Sequence, residues 1–422
     1  MSQASHVSRA AATNDRHPAG PPAPANGCPY QSGSGTTTDP CRDYLGLREE
    51  QPVRWDEDLE LWFVTGFRAA TGLLRHPALS SAWPERASTP LHAAAGGGAG
   101  GDGARTSGLV RKWFMFNDNP AHHRARKLVA PLFSAERIAA HRPFIEELVA
   151  ELLSGDGDSL EIMEGLAIPL SGRVICRVLG LDAAVAPHLE PWALDVAALL
   201  VADYLPEVVA RGHTALQDMT ALIDRALEGE LPEDSALYLL RQAHRDGEIG
   251  LQDVWATATF LIYAGFETTS TFIGKAVRSI LHAGSWERLR TADLGPAVEE
   301  LLRFDTSVQQ VARIATEAFE VADQKIAAGD LVLIMLGTAN RDGEVFDRPD
   351  HLDYDRRITR HLGFGFGAHY CLGAGLARLE AQVALEGLRD KWATLRFLEP
   401  PRTRSHFGIT ALERLVVAGA QP

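Results

Sequence analysis

A single cysteine, Cys371, lies inside a glycine-rich stretch, HLGFGFGAHYCLGAGLARLE, which spans residues 361–380. Apolar residues follow at steps of four, three and four: Leu372, Leu376, Leu379 and Val383. This spacing predicts one buried face of a helix that begins at or just after the cysteine. At a helix N-terminus, unpaired N–H groups and the macrodipole favour a thiolate over a thiol. A thiolate with backbone donors aimed at its sulfur suits the ligand shell of a soft metal centre.

A purely structural role is the simplest alternative for Cys371, as a lone buried cysteine at a helix cap. Gly365 and Gly373 flank Cys371, and residues without Cβ allow close backbone approach to a flat partner and positive φ. Structural zinc is disfavoured, because His361, His369 and Cys371 supply only three ligands. The C-x-x-C-H pattern of covalent c-type haem attachment is absent from the sequence.

A second candidate is the stretch LIYAGFETTSTFIGKAV, within a helical pattern that starts near Asp253. Gly265 and the hydroxyl residues 268–271 are poor choices for a helix interior, since Ser and Thr can bond back to carbonyls and bend or open the ladder. An acid followed by an alcohol, Glu267 and Thr268, suits proton delivery to something bound beside the helix. The alternative is a surface turn that tolerates threonines.

Two further charged patterns are weak when taken alone. Glu300 and Arg303 in EELLR form an i, i+3 pair, which on a helix surface contributes only ~0.2–0.5 kcal/mol. In NDNPAHHRARKLVAPLF, His122 and Arg126 are four residues apart and share a helix face. Donors that converge on one side could bind a pair of carboxylates. A solvated basic stretch is the alternative.

The elements that must position these residues are mainly helical. The span from 120 to 290 has helical periodicity, with a hairpin expected near residues 53–55 and 62–65. Further strands are expected within residues 311–337 and 405–419. The glycine-rich stretch 92–108 predicts a long mobile loop. No glycine-rich phosphate loop follows a strand, which disfavours a nucleotide fold.

Bulk composition narrows the class of protein. The chain has 422 residues, 45% hydrophobic, with a net charge of -14. These values fit a soluble globular protein and argue against nucleic acid, whose backbone requires a basic face. No apolar run reaches the ~18–20 residues of a membrane span. The segment 1–35 resembles a disordered tail without a secretory signal. The four scattered cysteines indicate a reducing cytoplasm.

The segment FGFGAHYCLG, Phe364 to Gly373, matches F-x-x-G-x-H-x-C-x-G at every fixed position, the haem-binding signature of the cytochrome P-450 monooxygenases. The sequence resembles this family in motif order from about residue 39 to 418. The resemblance implies that Cys371 is the axial thiolate ligand of the iron of haem b, with Phe364 beside the loop. It also implies a mainly α, single-domain cytochrome P-450 fold with small β-sheets over residues 36–422.

The other motifs take roles from the same resemblance. A-G-x-(D/E)-T implies that Thr268 hydrogen-bonds the bound dioxygen and that Glu267 relays protons. E-x-x-R implies a structural ion pair, Glu300–Arg303, that supports the cysteine loop. The implied cofactor-binding residues besides Cys371 are His122, Arg126, Arg313 and His369 for the haem propionates, together with Phe364, Gly365, Gly373, Ala264 and Gly265.

The resemblance implies reductive activation of O2 and oxidation of a bulky, largely apolar small molecule, as in biosynthetic tailoring. Electrons would pass from NAD(P)H through a separate ferredoxin and ferredoxin reductase to a monomeric, cytoplasmic enzyme. One alternative is a member that couples, cyclises or nitrates its substrate. A non-enzymatic haem sensor would not need Glu267 and Thr268, and peroxide-driven members usually lack this pair.

The chain departs from the family pattern at Ser307, where proline is usual, and we therefore expect a less rigid strand beside the substrate. Asn119 and Ala121 also differ from the family's D-P-P-E-H pattern. The predicted substrate contacts are Trp83, Trp113, Val308, Gln309 and Phe407. Because the glycine-rich loop next to Trp83 would pay an ordering entropy of ~1–2 kcal/mol per fixed residue, we expect a large ligand that recovers it by stacking.

Overall fold

The computed structural model describes residues 51–82, 108–200, 205–357, 360–406 and 409–420. All of them belong to one compact unit, Thr38–Pro422. The predicted tail over residues 1–35, and the domain boundary after it, lie outside the described residues. So does almost all of the loop predicted over 92–108. These predictions therefore stay predictions.

Helices are the predominant secondary structure of the described chain, which confirms the prediction of a mainly α fold. They are α1 (Phe67–Leu73), α2 (Ala121–Val129), α3 (Ala135–Leu152), α4 (Ile168–Leu179), α5 (Ala186–Leu199), α6 (Pro206–Glu228), α7 (Ala236–Arg245), α8 (Leu251–His282), α9 (Trp286–Thr291), α10 (Leu294–Phe304), α11 (Leu336–Ala339) and α12 (Ala374–Lys391). Among the described residues, no helix is both long enough and apolar enough to cross a membrane.

The strands form small sheets at the edges of the helical body. They are β1 (Val53–Asp56), β2 (Leu61–Val64), β3 (Leu79–Ser80), β4 (Ser159–Glu161), β5 (Val311–Ala315), β6 (Phe319–Val321), β7 (Gln324–Ile326), β8 (Leu331–Ile334), β9 (Thr394–Phe397), β10 (Arg402–His406), β11 (Ile409–Arg414) and β12 (Val416–Ala420). The largest sheet has the order β1-β2-β8-β5-β3, in which only β2 and β8 are parallel. The predicted hairpin is confirmed as β1 and β2.

Helix α8 is the central element of the helical body. Its side chains are buried on nearly all sides from Val254 to Ile280, and it contacts α4, α5, α6, α7, α10 and α12. A helix that is apolar all round is stable only inside a protein core. The helix begins after Gly250, whose N–H donates to the carboxylate of Asp253 at 3.1 Å. Its middle turns can therefore present a few polar side chains to an enclosed site.

Helix α12 begins close to the cysteine, as predicted. Its buried face includes Leu376, Leu379 and Val383, which confirms the predicted apolar stripe. The helix packs against α3, α8 and α10. The loop before it is therefore held against the core by three helices, and the cysteine is placed at a fixed end of this layer.

Candidate functional site

The loop around Cys371 folds back on itself before α12. The N–H of Cys371 donates to the carbonyl of Phe364 at 2.9 Å. Gly365 and Gly367 have φ of 68° and 79°, in the left-handed region that favours glycine. A Cβ on Gly367 would lie 2.8 Å from the carbonyl oxygen of Leu74, which follows α1. The glycines therefore shape the loop and allow its close contact with α1.

The surroundings of Cys371 act on its thiol in opposite directions. Burial raises the pKa of Cys371, while the backbone N–H of Gly373 and the charges of Arg126 and Arg378 lower it by less. The N–H of Gly373 at the start of the helix thus acts in the predicted direction, toward the thiolate, but without a bound metal desolvation outweighs it. A metal cation bound to the sulfur reverses this balance, since a coordinating thiol is deprotonated.

Cationic and polar donors from three elements lie together beside the cysteine loop. They come from α2, β5 and the loop itself: His122, Arg126, Arg313 and His369. The ring centroids of His122 and His369 are 4.1 Å apart. His122 is buried, and its Nε2 makes no hydrogen bond to any described residue. Arg126 Nη2 donates to the carbonyl of Tyr370 at 2.7 Å, which fixes α2 against the loop.

This donor cluster is desolvated and predominantly positive. Burial, with the charges of His122 and Arg313, lowers the pKa of His369 to about 3. Burial also lowers the pKa of Arg126 and of Arg313. A buried charge requires a partner, and carboxylates bind such donors through strong charge-assisted hydrogen bonds. The cluster can therefore hold an anionic group with several acceptor oxygens.

Asp118, the first residue of the D-P-P-E-H pattern, lies next to this cluster. Its carboxylate accepts hydrogen bonds from the hydroxyl of Ser80 and, at 3.0 Å, from the N–H of Ser81. Its charge raises the pKa of His122 and of His369 against the larger effect of burial. Asp118 thus ties β3 to the start of α2. No role was predicted for Asp118 from the sequence, although it matches the acidic position of that pattern.

The middle of α8 carries the predicted acid–alcohol pair. Thr268 Oγ1 donates to the carbonyl of Ala264 at 2.8 Å, and Ser270 Oγ donates to the carbonyl of Glu267 at 3.2 Å. The helix nevertheless continues without interruption, so the predicted opening of its hydrogen-bond ladder does not occur. Ala264 and Thr268 are partly accessible while Glu267 is buried.

Gly265 has a packing role in the same turn. A Cβ at this position would lie 2.6 Å from Cδ1 of Ile175 on α4. The glycine therefore permits α8 and α4 to approach closely. This contact explains the residue without any need for a break in the helix.

The predicted ion pair Glu300–Arg303 is fully buried. Two donors of Arg303 bond the two carboxylate oxygens of Glu300 at 2.8 Å. Arg303 also donates to the carbonyls of Asn340 and Pro349, at 2.9 and 2.8 Å. The sequence did not indicate Arg356, whose Nε lies 3.1 Å from both oxygens of Glu300. The pair therefore joins α10 to the segment that leads to the cysteine loop.

The predicted substrate contacts are only partly within the described residues. Trp83 and Phe407 lie outside them. Trp113 is fully buried, and its indole N–H donates to Thr259 Oγ1 at 3.1 Å. It packs in an aromatic cluster with Phe116, Phe260 and Tyr263. Val308 is half-buried and Gln309 is buried, in the segment before β5. Their contact with a substrate stays a prediction.

The opposite side of the cysteine loop borders a cavity of about 490 Å³, which no sequence pattern indicated. Its lining includes Phe364, Arg378, Glu299 and the exposed side chain of Arg360. Burial alone would raise the pKa of Glu299, but hydrogen bonds from His361 and Arg378 lower it to about 2. These partners are far apart in sequence, so periodicity gave no signal for them.

Three chemically different groups are therefore joined by contacts in the fold: the donor cluster touches the cysteine loop, and the hydroxyls of residues 306 and 307 donate to the carbonyls of Gly363, before this loop, and of Thr268 on α8. Cys371 offers a soft sulfur ligand, the donor cluster offers binding to carboxylates, and α8 offers an alcohol next to an acid. Within the described residues, no group of three or more His, Cys, Asp or Glu side chains could hold a metal ion. A metal at Cys371 would therefore have to bring most of its own ligands, as a planar tetrapyrrole does.

Comparisons with known proteins agree with this geometry. The family model described as Cytochrome P450 matches residues 294–388. The chain is 33% identical over 402 residues to Cytochrome P450-SOY of Streptomyces griseus, covering 91% of this chain and 92% of that protein. It is 34% identical over 376 residues to Cytochrome P450 monooxygenase PikC of Streptomyces venezuelae, covering 85% of each. The crystal structure of CalO2 superposes with a TM-score of 0.84 at 28% identity, covering 93% of this chain and 98% of that one.

Proposed function

Because this chain belongs to the cytochrome P450 family, we propose that it is a tailoring monooxygenase that oxidises a bulky, largely apolar natural product. Membership of the family establishes a haem-containing monooxygenase. The contact of the cysteine loop with the positive donor cluster, through His369 and Tyr370, is the observation that carries the residue assignments. The substrate class and the assignments below are our inference.

The residues present fit haem. The unpartnered Nε2 of His122 and the desolvated guanidinium groups of Arg126 and Arg313 match the two propionates. Cys371 is the sulfur that would bind the iron, and His369 completes the donor set. Haem, when bound, supplies reductive activation of O2 and transfer of one oxygen atom to the substrate.

The chain's own groups then have separate tasks. Arg126, Arg313, His122 and His369 bind and orient the cofactor through its carboxylates. Thr268 holds a proton at Oγ1, which now bonds to the carbonyl of Ala264 and can rotate toward the partly open side of α8. Glu267, one residue before it, supplies protons from the buried side. Glu300 and Arg303 hold the cysteine loop in place.

Electron delivery would come from a separate protein, and the cavity face suits an acidic partner. The guanidinium carbons of Arg360 and Arg75 lie 4.6 and 4.7 Å from the ring centroid of Phe366. Arg378 lies 4.5 Å from the ring centroid of Phe364. A basic face steers an acidic carrier such as a ferredoxin. NAD(P)H and a ferredoxin reductase would supply that carrier, in a cytoplasmic, monomeric enzyme.

The carrier assignment has a direct test. Arg360→Glu should lower the rate at which a plant-type ferredoxin reduces the enzyme, and should flatten the dependence of this rate on salt. Arg225→Glu, an exposed residue on α6, is the matched control and should have little effect. Equal losses in both variants would contradict docking at the cavity face.

The proposed substrate class is supported by the aromatic cluster around Trp113. Tyr263 on α8 is partly accessible, as are Ala264 and Thr268, and its ring centroid lies 5.2 Å from that of Trp113 in a stacked arrangement. Burial raises the pKa of the Tyr263 phenol, so it stays neutral and can donate a hydrogen bond. An aromatic surface of this kind favours a large, rigid, partly unsaturated ligand over a flexible chain.

The experiment is oxidation of a panel of macrolide, polycyclic and fatty-acid candidates under ¹⁸O2, with mass analysis of the products. A gain of one labelled oxygen supports the monooxygenase, and Thr268→Ala should divert electrons to hydrogen peroxide at unchanged ligand affinity. Loss of two hydrogens without label would instead support a coupling or cyclising enzyme. Oxidation of fatty acids alone would contradict the substrate class.

A further inference from the structure

We propose that Ser307 is a positioning residue for Thr268, and this rests on the role proposed above for Thr268. Ser307 Oγ donates to the backbone carbonyl of Thr268 at 2.7 Å, between residues 39 apart in sequence. Ser307 is buried, at 6% exposure. The bond is made by the residue at which this chain departs from the family pattern, since proline has no hydroxyl to donate.

The segment that carries Ser307 is fixed to α8 by several charged and polar contacts. Asp305 accepts from Arg278 at 2.5 Å and from Ser279 Oγ at 3.1 Å, and lies 2.7 Å from Lys275. Lys275 Nζ also donates to the carbonyl of Thr306 at 2.8 Å. The residues just before Ser307 are therefore tied to α8 by contacts that do not need a proline. The expectation of a less rigid strand stays a prediction.

The Ser307 bond is the last of these contacts toward the N-terminus of α8. Lys275, Arg278 and Ser279 lie two to three turns further along the helix. The carbonyl of Thr268 thus accepts from Ser307 in addition to its place in the helical ladder, while Thr268 Oγ1 bonds to the carbonyl of Ala264. Both the backbone and the side chain of Thr268 are held.

The same bond connects Thr268 to the predicted substrate side of the site. Val308 and Gln309 follow Ser307 directly, and the carbonyl of Gln309 accepts from the N–H of Gly337 at 3.1 Å. A ligand that displaces Val308 would move Ser307, and the hydrogen bond would transmit this movement to the turn that carries Thr268. Ser307 therefore positions the proton-donating alcohol in response to the ligand side.

The test compares Ser307→Ala with the matched control Ser279→Ala in the haem-loaded protein. Each variant removes one buried hydroxyl donor between the same two segments, but Ser279 lies three helical turns from Thr268. Two readouts apply: hydrogen exchange of the backbone amides of residues 264–272, and the C–O stretching band of the reduced protein with carbon monoxide. Hydrogen exchange reports how readily the turn around Thr268 opens, and the C–O band reports hydrogen-bond donors close to the bound carbon monoxide.

We expect Ser307→Ala to raise exchange over residues 264–272 by about 5-fold, the factor for one lost neutral hydrogen bond. The C–O band of Ser307→Ala should shift to the frequency found in Thr268→Ala. Ser307→Thr, which keeps a hydroxyl donor, should restore both the exchange rate and the band frequency. The double variant Ser307→Ala/Thr268→Ala should match Thr268→Ala, since one residue acts through the other. Ser279→Ala should lower the unfolding midpoint without changing the band.

The proposal would be overturned if Ser307→Ala had the same amide exchange and the same C–O band as the wild type. It would also be overturned if Ser279→Ala changed both readouts in the same way as Ser307→Ala. Additive shifts in the double variant would overturn it as well. If Thr268→Ala itself left the C–O band unchanged, the role proposed for Thr268 would fail. The exchange measurement would still decide separately whether Ser307 holds the turn.

Discussion

The substitution Glu300→Gln tests whether the buried ion pair holds the segment before the cysteine loop. Glu300 is fully buried and accepts from Arg303, from Arg356 and, at 2.9 Å, from the N–H of Asp353. Glutamine has nearly the same shape but no charge, so two buried or nearly buried guanidinium groups lose their counter-ion. Breaking a buried pair in this way typically costs ~3–5 kcal/mol.

The chain contains a matched control with the same spacing. Glu287 and Arg290 on α9 are also an i, i+3 pair. However, Arg290 Nη1 lies 4.0 Å from Glu287 Oε2, and the Glu287 side chain is 80% exposed. A surface pair of this kind contributes at most ~0.5 kcal/mol. Glu287→Gln should therefore leave the free energy of unfolding nearly unchanged. Glu300→Gln should remove a large part of it, since this free energy is typically only ~5–15 kcal/mol.

The measurement is urea unfolding of both variants, followed by circular dichroism and by the haem absorbance. Equal slopes allow the midpoints to be compared as free energies. We expect the haem signal of Glu300→Gln to be lost at lower urea than its helical signal, since the cysteine loop depends on this segment. A loss below ~1 kcal/mol in Glu300→Gln, or equal losses in both variants, would show that the ion pair does not hold this segment in place.

Two further predictions address stability and the substrate. Burial raises the pKa of Glu380 well above 4.5, so its carboxyl binds a proton more tightly in the folded state than in the unfolded state. The contribution of this one group to stability is therefore greatest below about pH 4.5 and falls as pH rises. Glu380→Gln should be more stable than the wild type by an amount that grows toward alkaline pH, and a constant difference in pH-dependent melts would contradict this. Deletion of residues 95–103 should weaken binding of large ligands in haem spin-state titrations, and unchanged affinity would mean that the loop is only a spacer.

Local patterns predicted the helices well, because they depend on periodicity. The stripe after Cys371 and the periodic pattern of α8 indicated the two elements that border the site. Within the helical span 120–290, however, the structure has two separate helices, α5 and α6, where the periodic pattern runs on. Pro206 lies at the start of the second helix. Proline fits the first turn of a helix and not its interior, so the sequence contained this signal.

The less predictable features depend on contacts between distant residues. Ser307 looked like a loss of rigidity because its bond to Thr268 joins segments 39 residues apart. Asp353 and Arg356 join Glu300 across more than 50 residues. The sequence did not indicate how strongly burial raises the pKa of Cys371, because burial depends on tertiary packing. Spacing in the sequence indicates neighbours along a helix but not these partners.

The carbon monoxide spectrum of the reduced protein directly tests whether Cys371 binds the haem iron, since thiolate-ligated haem has a distinctive long-wavelength Soret band. Cys176 is a suitable control, because it is a buried cysteine on α4 whose pKa burial raises to about 12. We expect Cys176→Ala to retain the band and Cys371→Ala to lose it. A band that survives in Cys371→Ala but disappears in Cys176→Ala would contradict the assignment of Cys371 as the iron ligand.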